Sequence, residues 1–413
     1  MLIALKFLFL IPLRKEERVK GKSFKLGIET FLEEGYYKRY LNQNLALLTN
    51  QSACLKNLTP SYFALKEVFG ERLKFLFSPQ HGLFAEKQAN MVGSEDEVEP
   101  FFGLKVISLY GPRLKPEPKH LEEIDVVFVD LPEVGCRVYT YIWTMFLLMS
   151  ACEDLGVKVV IFDRPNPIGA TVEGALLEKA YYSFVGLDSL PLRHGLTMGE
   201  LALLFKMRHF PRLELEVIPC RNYKKSQLWI DLSLPWINPS PNLPDFYSAL
   251  CYPGLVLLEG TNLSEGRGTT KPFTTFGAPY LKIEKLYPKL KELFPEKNWG
   301  MVFRPVAFEP TFDKWKGNRC YGFEIHVTDP LKFRPVEFAL KLLKLIKREY
   351  KEFEFLPPPY EFEREKKPIE ILIGSKEVLE WLTDRNSLDF DLDLSYTLKQ
   401  YQLEISNLSL YEE

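Results

Sequence analysis

The chain has 413 residues, 46% of them hydrophobic and 26% charged, with a formal net charge of −2. That length supports two domains with their own cores, and the composition is that of a soluble globular protein. The near-neutral balance excludes a global basic field of the kind that recruits nucleic acid.

Residues 1–13 are apolar for about the length of a signal-peptide core, but no basic stretch precedes them and no small-residue cleavage site follows. The expectation is an unstructured leader over residues 1–24 of a cytoplasmic protein, with export as the alternative. No later segment is long and apolar enough to span a membrane. Short apolar runs then recur at 45–48, 73–77, 106–110, 126–129, 157–162 and 215–218, each ending in a polar loop. Helical segments lie between several of them. Thr59-Pro60 opens one with proline at the first helical position. Residues 138–155 form a long one that includes Tyr139, Tyr141 and Trp143, and Thr197-Met-Gly-Glu200 is a capping box that opens another.

Strands alternating with helices predict an α/β fold: a Rossmann-like, mostly parallel sheet with helices on both faces, over residues 25–245. A proline-rich segment, 234–244, is either a connection or a rigid wall of a site. Residues 246–413 read as a smaller α+β domain completing a cleft, with strands near 302–308 and 321–328 and helices near 335–349, 376–384 and 395–406.

In such sheets ligands sit beyond the carboxyl ends of the strands. The residues there are Thr49-Asn50, Ser78-Pro-Gln-His-Gly82, Gly111, Asp130-Leu-Pro-Glu-Val-Gly135 and Asp163-Arg-Pro-Asn-Pro167. The stretch 258–273, Leu-Glu-Gly-Thr-Asn-Leu-Ser-Glu-Gly-Arg-Gly-Thr-Thr-Lys-Pro-Phe, has neither helix nor strand period. A polar, glycine-rich loop between apolar segments must satisfy its own backbone and side chains, and such loops line sites. No nucleotide fingerprint, nucleophile elbow or paired histidines at metal-ligand spacing occurs, so neither cofactor nor metal is predicted. The six cysteines are widely spaced and form no CxxC pair, which predicts buried free thiols.

What remains is an excess of carboxylates, amides and arginines near loops, suited to a polyhydroxylated ligand. Two carboxylates flanking a glycosidic bond supply acid and base or nucleophile. For Asp163 beside Arg164 a structural ion pair competes with catalysis, His194 is divided between ligand donor and turn residue, and Glu173 is also plausible as an ordinary surface residue.

Several motifs in order resemble one family. They are Leu48-Thr-Asn50, Ser78-Pro-Gln-His-Gly82, Ser108-Leu-Tyr-Gly111, Asp130-Leu-Pro-Glu-Val-Gly135 with Arg137-Val-Tyr-Thr-Tyr141, Asp163-Arg-Pro-Asn-Pro167, Val172-Glu-Gly174, Ser183-Phe-Val-Gly186, Arg193-His-Gly195, Pro239-Ser-Pro-Asn242 and Glu259 through Lys271. The chain is similar, over about residues 25–330, to the exo-β-N-acetylmuramidases, glycoside hydrolases of bacterial cell-wall recycling. The resemblance implies release of N-acetylmuramic acid from the non-reducing ends of peptidoglycan fragments. It implies a Rossmann-like domain joined to a smaller one, with the site in the cleft between.

One departure bears on catalysis: the residue before the His-Gly pair is a glutamate in the characterised type and Gln80 here, and an amide cannot serve as acid or base. The resemblance makes Glu173, whose Val-Glu-Gly motif also matches, the expected acid/base, and groups Gln80 and His81 with it as catalytic residues; by its nearness to Gln80 in the sequence, Glu86 is another replacement acid. Asn50, Asp130, Arg137, Tyr139, Asn166, Arg193, His194, Asn242, Glu259, Asn262, Glu265 and Arg267 would bind the sugar. An arginine suits the lactyl carboxylate of muramic acid. Two other readings stay open: a non-catalytic sugar-binding protein, favoured by Gln80, and a phosphate-ester or nucleotide-sugar enzyme using Gly266-Arg-Gly268.

Overall fold

The structure is a computed structural model that describes residues 23–88, 91–383 and 392–412. Most of the leader expected over 1–24 lies outside the described residues. The six apolar runs all form strands: β1 (Leu45–Thr49), β2 (Leu73–Ser78), β4 (Lys105–Ser108), β5 (Val126–Asp130), β6 (Lys158–Phe162) and β9 (Leu215–Ile218), joined by the short edge strand β3 (Glu97–Val98). The sheet order is β3-β4-β2-β1-β5-β6-β9, with every pairing parallel except β3 with β4. The chain builds outward from β1 on one side, then crosses to β5 and builds outward on the other. The order therefore reverses between β1 and β5, the place where ligands gather in such sheets.

Both faces are covered, which is why β1 and β5 are buried at every position. Alternation sends Leu45 and Leu47 to one core and Ala46 and Leu48 to the other. The helices α1 (Gly27–Glu33) and α2 (Ser61–Phe69) cover the first face, and α3 (Tyr141–Leu155) and α4 (Met198–His209) the second. The capping box forms as expected, Thr197 accepting from the Glu200 amide. Two boundaries differ. Pro60 is the cap of α2 rather than its first turn, and α3 begins at Tyr141, leaving Tyr139 in the preceding loop. A small antiparallel pair, β7 (Glu173–Leu176) with β8 (Pro191–Arg193), was not expected.

The C-terminal domain holds α5 (Phe246–Leu255) and an antiparallel sheet of β10 (Thr275–Ala278), β11 (Met301–Phe308) and β12 (Cys320–Val327), ordered β10-β12-β11. Around it lie α6 (Ile283–Leu293), α7 (Glu296–Trp299), α8 (Pro335–Glu349), α9 (Pro368–Ile373), α10 (Lys376–Thr383) and α11 (Ser395–Ser406). The core under α3 runs without a break into the one between α5 and α8. The final residues return to the sheet domain: Tyr401 donates to the His194 carbonyl, Tyr411 to Asp163, and Glu412 pairs with Lys224. All six cysteines are buried and free, and no helix among the described residues is long and apolar enough to cross a membrane.

Helices α5 and α8 meet at Gly254, where a Cβ would lie 1.9 Å from the Pro335 carbonyl oxygen. That oxygen is backbone and cannot swing away. Gly254→Ala is therefore expected to cost about 1–3 kcal/mol, the usual range for overpacking, read as a lower urea midpoint at unchanged slope. An unchanged midpoint would show that the two helices part without cost.

Candidate active site

The loop after β2 carries Gln80 and His81 into the junction between the domains. His81 takes the left-handed conformation, φ 72°. Its Nδ1 lies 2.6 Å from the Lys87 carbonyl oxygen, so that nitrogen carries the proton, since a carbonyl only accepts. Burial pulls the His81 pKa down to about 4, which leaves the ring uncharged at neutral pH. Gln80 accepts from the Thr140 hydroxyl at 2.6 Å and donates from Nε2 to Glu361 Oε1 at 3.3 Å. The same Glu361 carboxyl accepts from the Tyr110 hydroxyl at 2.6 Å. Glu361 belongs to the irregular segment between α8 and α9.

Opposite stands the loop 258–273. Glu259 accepts from Arg267 at 2.7 Å and from the Tyr360 hydroxyl at 2.5 Å. Arg267 lies 5.0 Å over the Phe273 ring and 3.4 Å from Glu265, which in turn meets Lys314 at 2.6 Å. Burial raises the Glu265 pKa despite those cations. Between these groups is a small pocket walled by Gln80, His81, Tyr139, Thr140, Ser240, Tyr252, Glu259, Arg267, Tyr360 and Glu361. A neighbouring, roomier cavity shares Glu259 and Tyr360 and adds Glu265, Lys314 and Phe312.

Of the residues singled out from sequence, the structure thus gathers Gln80, His81, Tyr139, Glu259 and Arg267, with Glu265 next door. Asn242 stands near them, donating to the Gln88 carbonyl from the proline-rich segment. That segment also walls a separate apolar hollow through Trp236 and Pro239.

The others hold the fold. Asn50 donates to Tyr141 and to the Pro239 carbonyl and accepts from Ser52. Asp130 grips Arg164 through two bonds, 2.5 and 2.9 Å, so Arg164 pairs with Asp130 and not with its neighbour Asp163. Asp163 instead receives the Thr197 hydroxyl and the Gly199 amide at the start of α4, each at 2.7 Å. Arg137 reaches across the junction to carbonyls at the end of α9, chiefly Leu372, and to Leu190. Asn166 closes a turn onto the Ile168 amide, and Asn262 ties Tyr280 to the backbone of Glu352 and Glu354.

Glu173, Arg193 and His194 lie in and after the β7–β8 pair. Glu173 accepts from the Glu337 amide in the first turn of α8 at 2.8 Å, and it faces Arg193 across the pairing register. Burial pushes its pKa up to about 7. It lines neither of the two cavities. Arg193 donates to the Ile168 carbonyl. His194 Nδ1 accepts from the Leu196 amide at 3.1 Å, and its Nε2 lies 3.3 Å from Glu133. Among the described residues no cluster of three or more His, Cys, Asp or Glu is placed to hold a metal.

Sequence reasoning missed Tyr110, Thr140, Tyr252, Lys314, Tyr360 and Glu361. Tyr110 and Thr140 lay inside motifs already noted, Ser108-Leu-Tyr-Gly111 and Arg137-Val-Tyr-Thr-Tyr141, and the signal for Tyr360 and Glu361 was Pro357-Pro-Pro-Tyr-Glu-Phe362, an irregular segment in which prolines abut aromatics and an acid.

Comparison with known proteins agrees with this architecture. The family model for the N-terminal domain of the exo-beta-N-acetylmuramidase NamZ matches residues 45–247, and that for its C-terminal domain matches 250–411. The peptidoglycan beta-N-acetylmuramidase NamZ of Bacillus subtilis is 40% identical over 348 residues, covering 84% of this chain and 83% of that protein. A crystal structure of a DUF1343 family protein from Bacteroides fragilis superimposes with a TM-score of 0.82 at 30% identity, covering 94% of this chain and 99% of that one. A second DUF1343 protein from the same organism gives 0.72 at 26% identity, covering 95% and 100%. The chain belongs to the NamZ family of exo-β-N-acetylmuramidases.

Proposed function

We propose that this protein is a glycosidase that releases N-acetylmuramic acid from the non-reducing ends of peptidoglycan fragments. The observation that carries the reading is the junction cavity, whose lining includes two carboxylates of unlike surroundings, Glu259 and Glu361, together with hydroxylated aromatics. Two carboxylates in different settings are what glycoside hydrolysis uses, and Tyr139, Tyr252 and Tyr360 give the lining aromatic surface. The kinship with a peptidoglycan β-N-acetylmuramidase supplies the substrate class.

The test is hydrolysis of a chromogenic β-N-acetylmuramic acid glycoside, with the N-acetylglucosamine glycoside as control. Turnover at least tenfold faster on the muramic acid compound is expected. Binding of muramic acid without turnover would replace this reading by that of a sugar-binding protein.

A further inference from the structure

Gln80 lines the cavity, yet its amide neither releases nor takes up a proton near neutral pH. Its two ends are both committed, the oxygen to Thr140 and the nitrogen to Glu361. The two carboxylates in the wall are placed differently. Glu259 has a guanidinium partner in Arg267. The hydrogen bonds that Glu361 accepts come from neutral donors, the Tyr110 hydroxyl and the Gln80 amide. Neutral donors hold a carboxylate far less firmly than a guanidinium does, and the charge on Glu259 opposes a second negative charge beside it.

The backbone is also unusual here. Glu361 and Phe362 have φ of 44° and 68°, a left-handed conformation that non-glycine residues seldom adopt and that clusters at working sites. The turn is held by reciprocal bonds between Tyr360 and Glu363, both 2.9 Å.

We propose, resting on the hydrolase reading above, that Glu361 is the general acid of this site, with Gln80 and Tyr110 as the residues that position its carboxyl. As the bond from C1 to the glycosidic oxygen breaks, its electron pair stays on that oxygen, which takes the Glu361 proton and leaves as an alcohol. Water adds its hydroxyl at C1, and its remaining proton returns through solvent to the Glu361 carboxylate. Burial, with Glu259 acting in the same direction, pushes the Glu361 pKa up to about 7 against the bonds from Tyr110 and Gln80 and the charge of Arg267. His81, Tyr139, Tyr252 and Tyr360 complete the titratable lining. The acid form therefore declines as pH rises through about 7, and the rate on substrates that need protonation declines with it.

The experiment compares two substrates in the full chain, a muramic acid disaccharide and a dinitrophenyl muramic acid glycoside whose leaving group needs no proton. Glu361→Gln is expected to slow the disaccharide by about 10²–10⁴-fold, the usual contribution of general acid catalysis, and the dinitrophenyl compound by less than tenfold. The alkaline decline near neutrality should vanish from its pH profile. Glu361→Asp, which keeps a carboxyl, should recover part of the disaccharide rate. Equal loss on both substrates would mark a structural role and overturn the assignment, as would disaccharide turnover within threefold of wild type. Leaving-group discrimination in Glu173→Gln in place of Glu361→Gln would move the role to Glu173. Failure of the wild-type protein on both substrates would instead sink the hydrolase reading itself, and this assignment with it.

Discussion

Arg267→Met is expected to abolish turnover and to cost about 3–5 kcal/mol of stability, the range for removing one partner of a buried ion pair. The guanidinium is almost wholly buried and serves two carboxylates, bonding Glu259 and lying 3.4 Å from Glu265. Methionine fills much of the same volume over Phe273, so the loss would come from charge and not from a cavity. Glu265 would keep Lys314, but Glu259 would lose its cation in the wall of the site. Arg267→Lys is the informative partner: one ammonium satisfies a single carboxylate without the planar fork, so an intermediate stability and a large loss of rate should follow. Urea unfolding and disaccharide turnover read the two effects separately. A methionine variant within about 0.5 kcal/mol of wild type, the scatter of ordinary surface changes, would show that the cluster contributes nothing to folding.

The second large effect is expected at Asp130, at the end of β5. Asp130→Ala leaves the Arg164 guanidinium buried with only the Cys54 carbonyl, 3.0 Å away, among its present acceptors, and should again cost about 3–5 kcal/mol. That is a large share of the 5–15 kcal/mol by which folded domains are held. Replacing both partners, Asp130→Leu with Arg164→Met, should recover most of the loss, because an apolar pair of similar size carries no unpaired charge. A double variant no more stable than Asp130→Ala would mean that the ion pair fixes the geometry at the carboxyl end of β5 beyond its charge balance. Chemical denaturation of the three proteins decides it.

These two sites also show what the sequence could reveal. The strands were legible because each is a short apolar run, and α8 and α11 appeared at the expected bounds because local signals set them, a proline at the first turn and an apolar stripe. The edge strand β3 and the pair β7–β8 escaped notice because they are short and their pairing is a tertiary fact. In the loop 258–273 the absence of any period pointed to a site, and Glu259 and Arg267 do face the cavity. The same loop gave no means of telling them from Asn262, whose bonds all go to the framework. Asp130 and Asn50 stood at strand ends and carried the right chemistry, yet each is absorbed by neighbours distant in sequence, while Asn166, in the loop after β6, is spent on its own turn and on the Leu196 carbonyl. Glu361 was invisible for the converse reason. It stands among Glu363, Glu365 and other acids of the same appearance, and only folding separates the buried one, 2% exposed, from the rest.

The return of the last residues to the sheet domain bears on how the molecule is made. A chain emerging from the ribosome completes its N-terminal domain first, but here the Asp163 carboxylate that caps α4 receives Tyr411, and the segment at Lys224 pairs with Glu412. Until residues 401 and 411 have been synthesised, the nascent sheet domain lacks the hydroxyl that Tyr401 gives to the His194 carbonyl and the tyrosine over Asp163. Its translation intermediate therefore exposes polar groups and ring surface that the finished protein hides. Stalled or prematurely terminated products should consequently be marked for proteolysis even when the whole sheet has been translated.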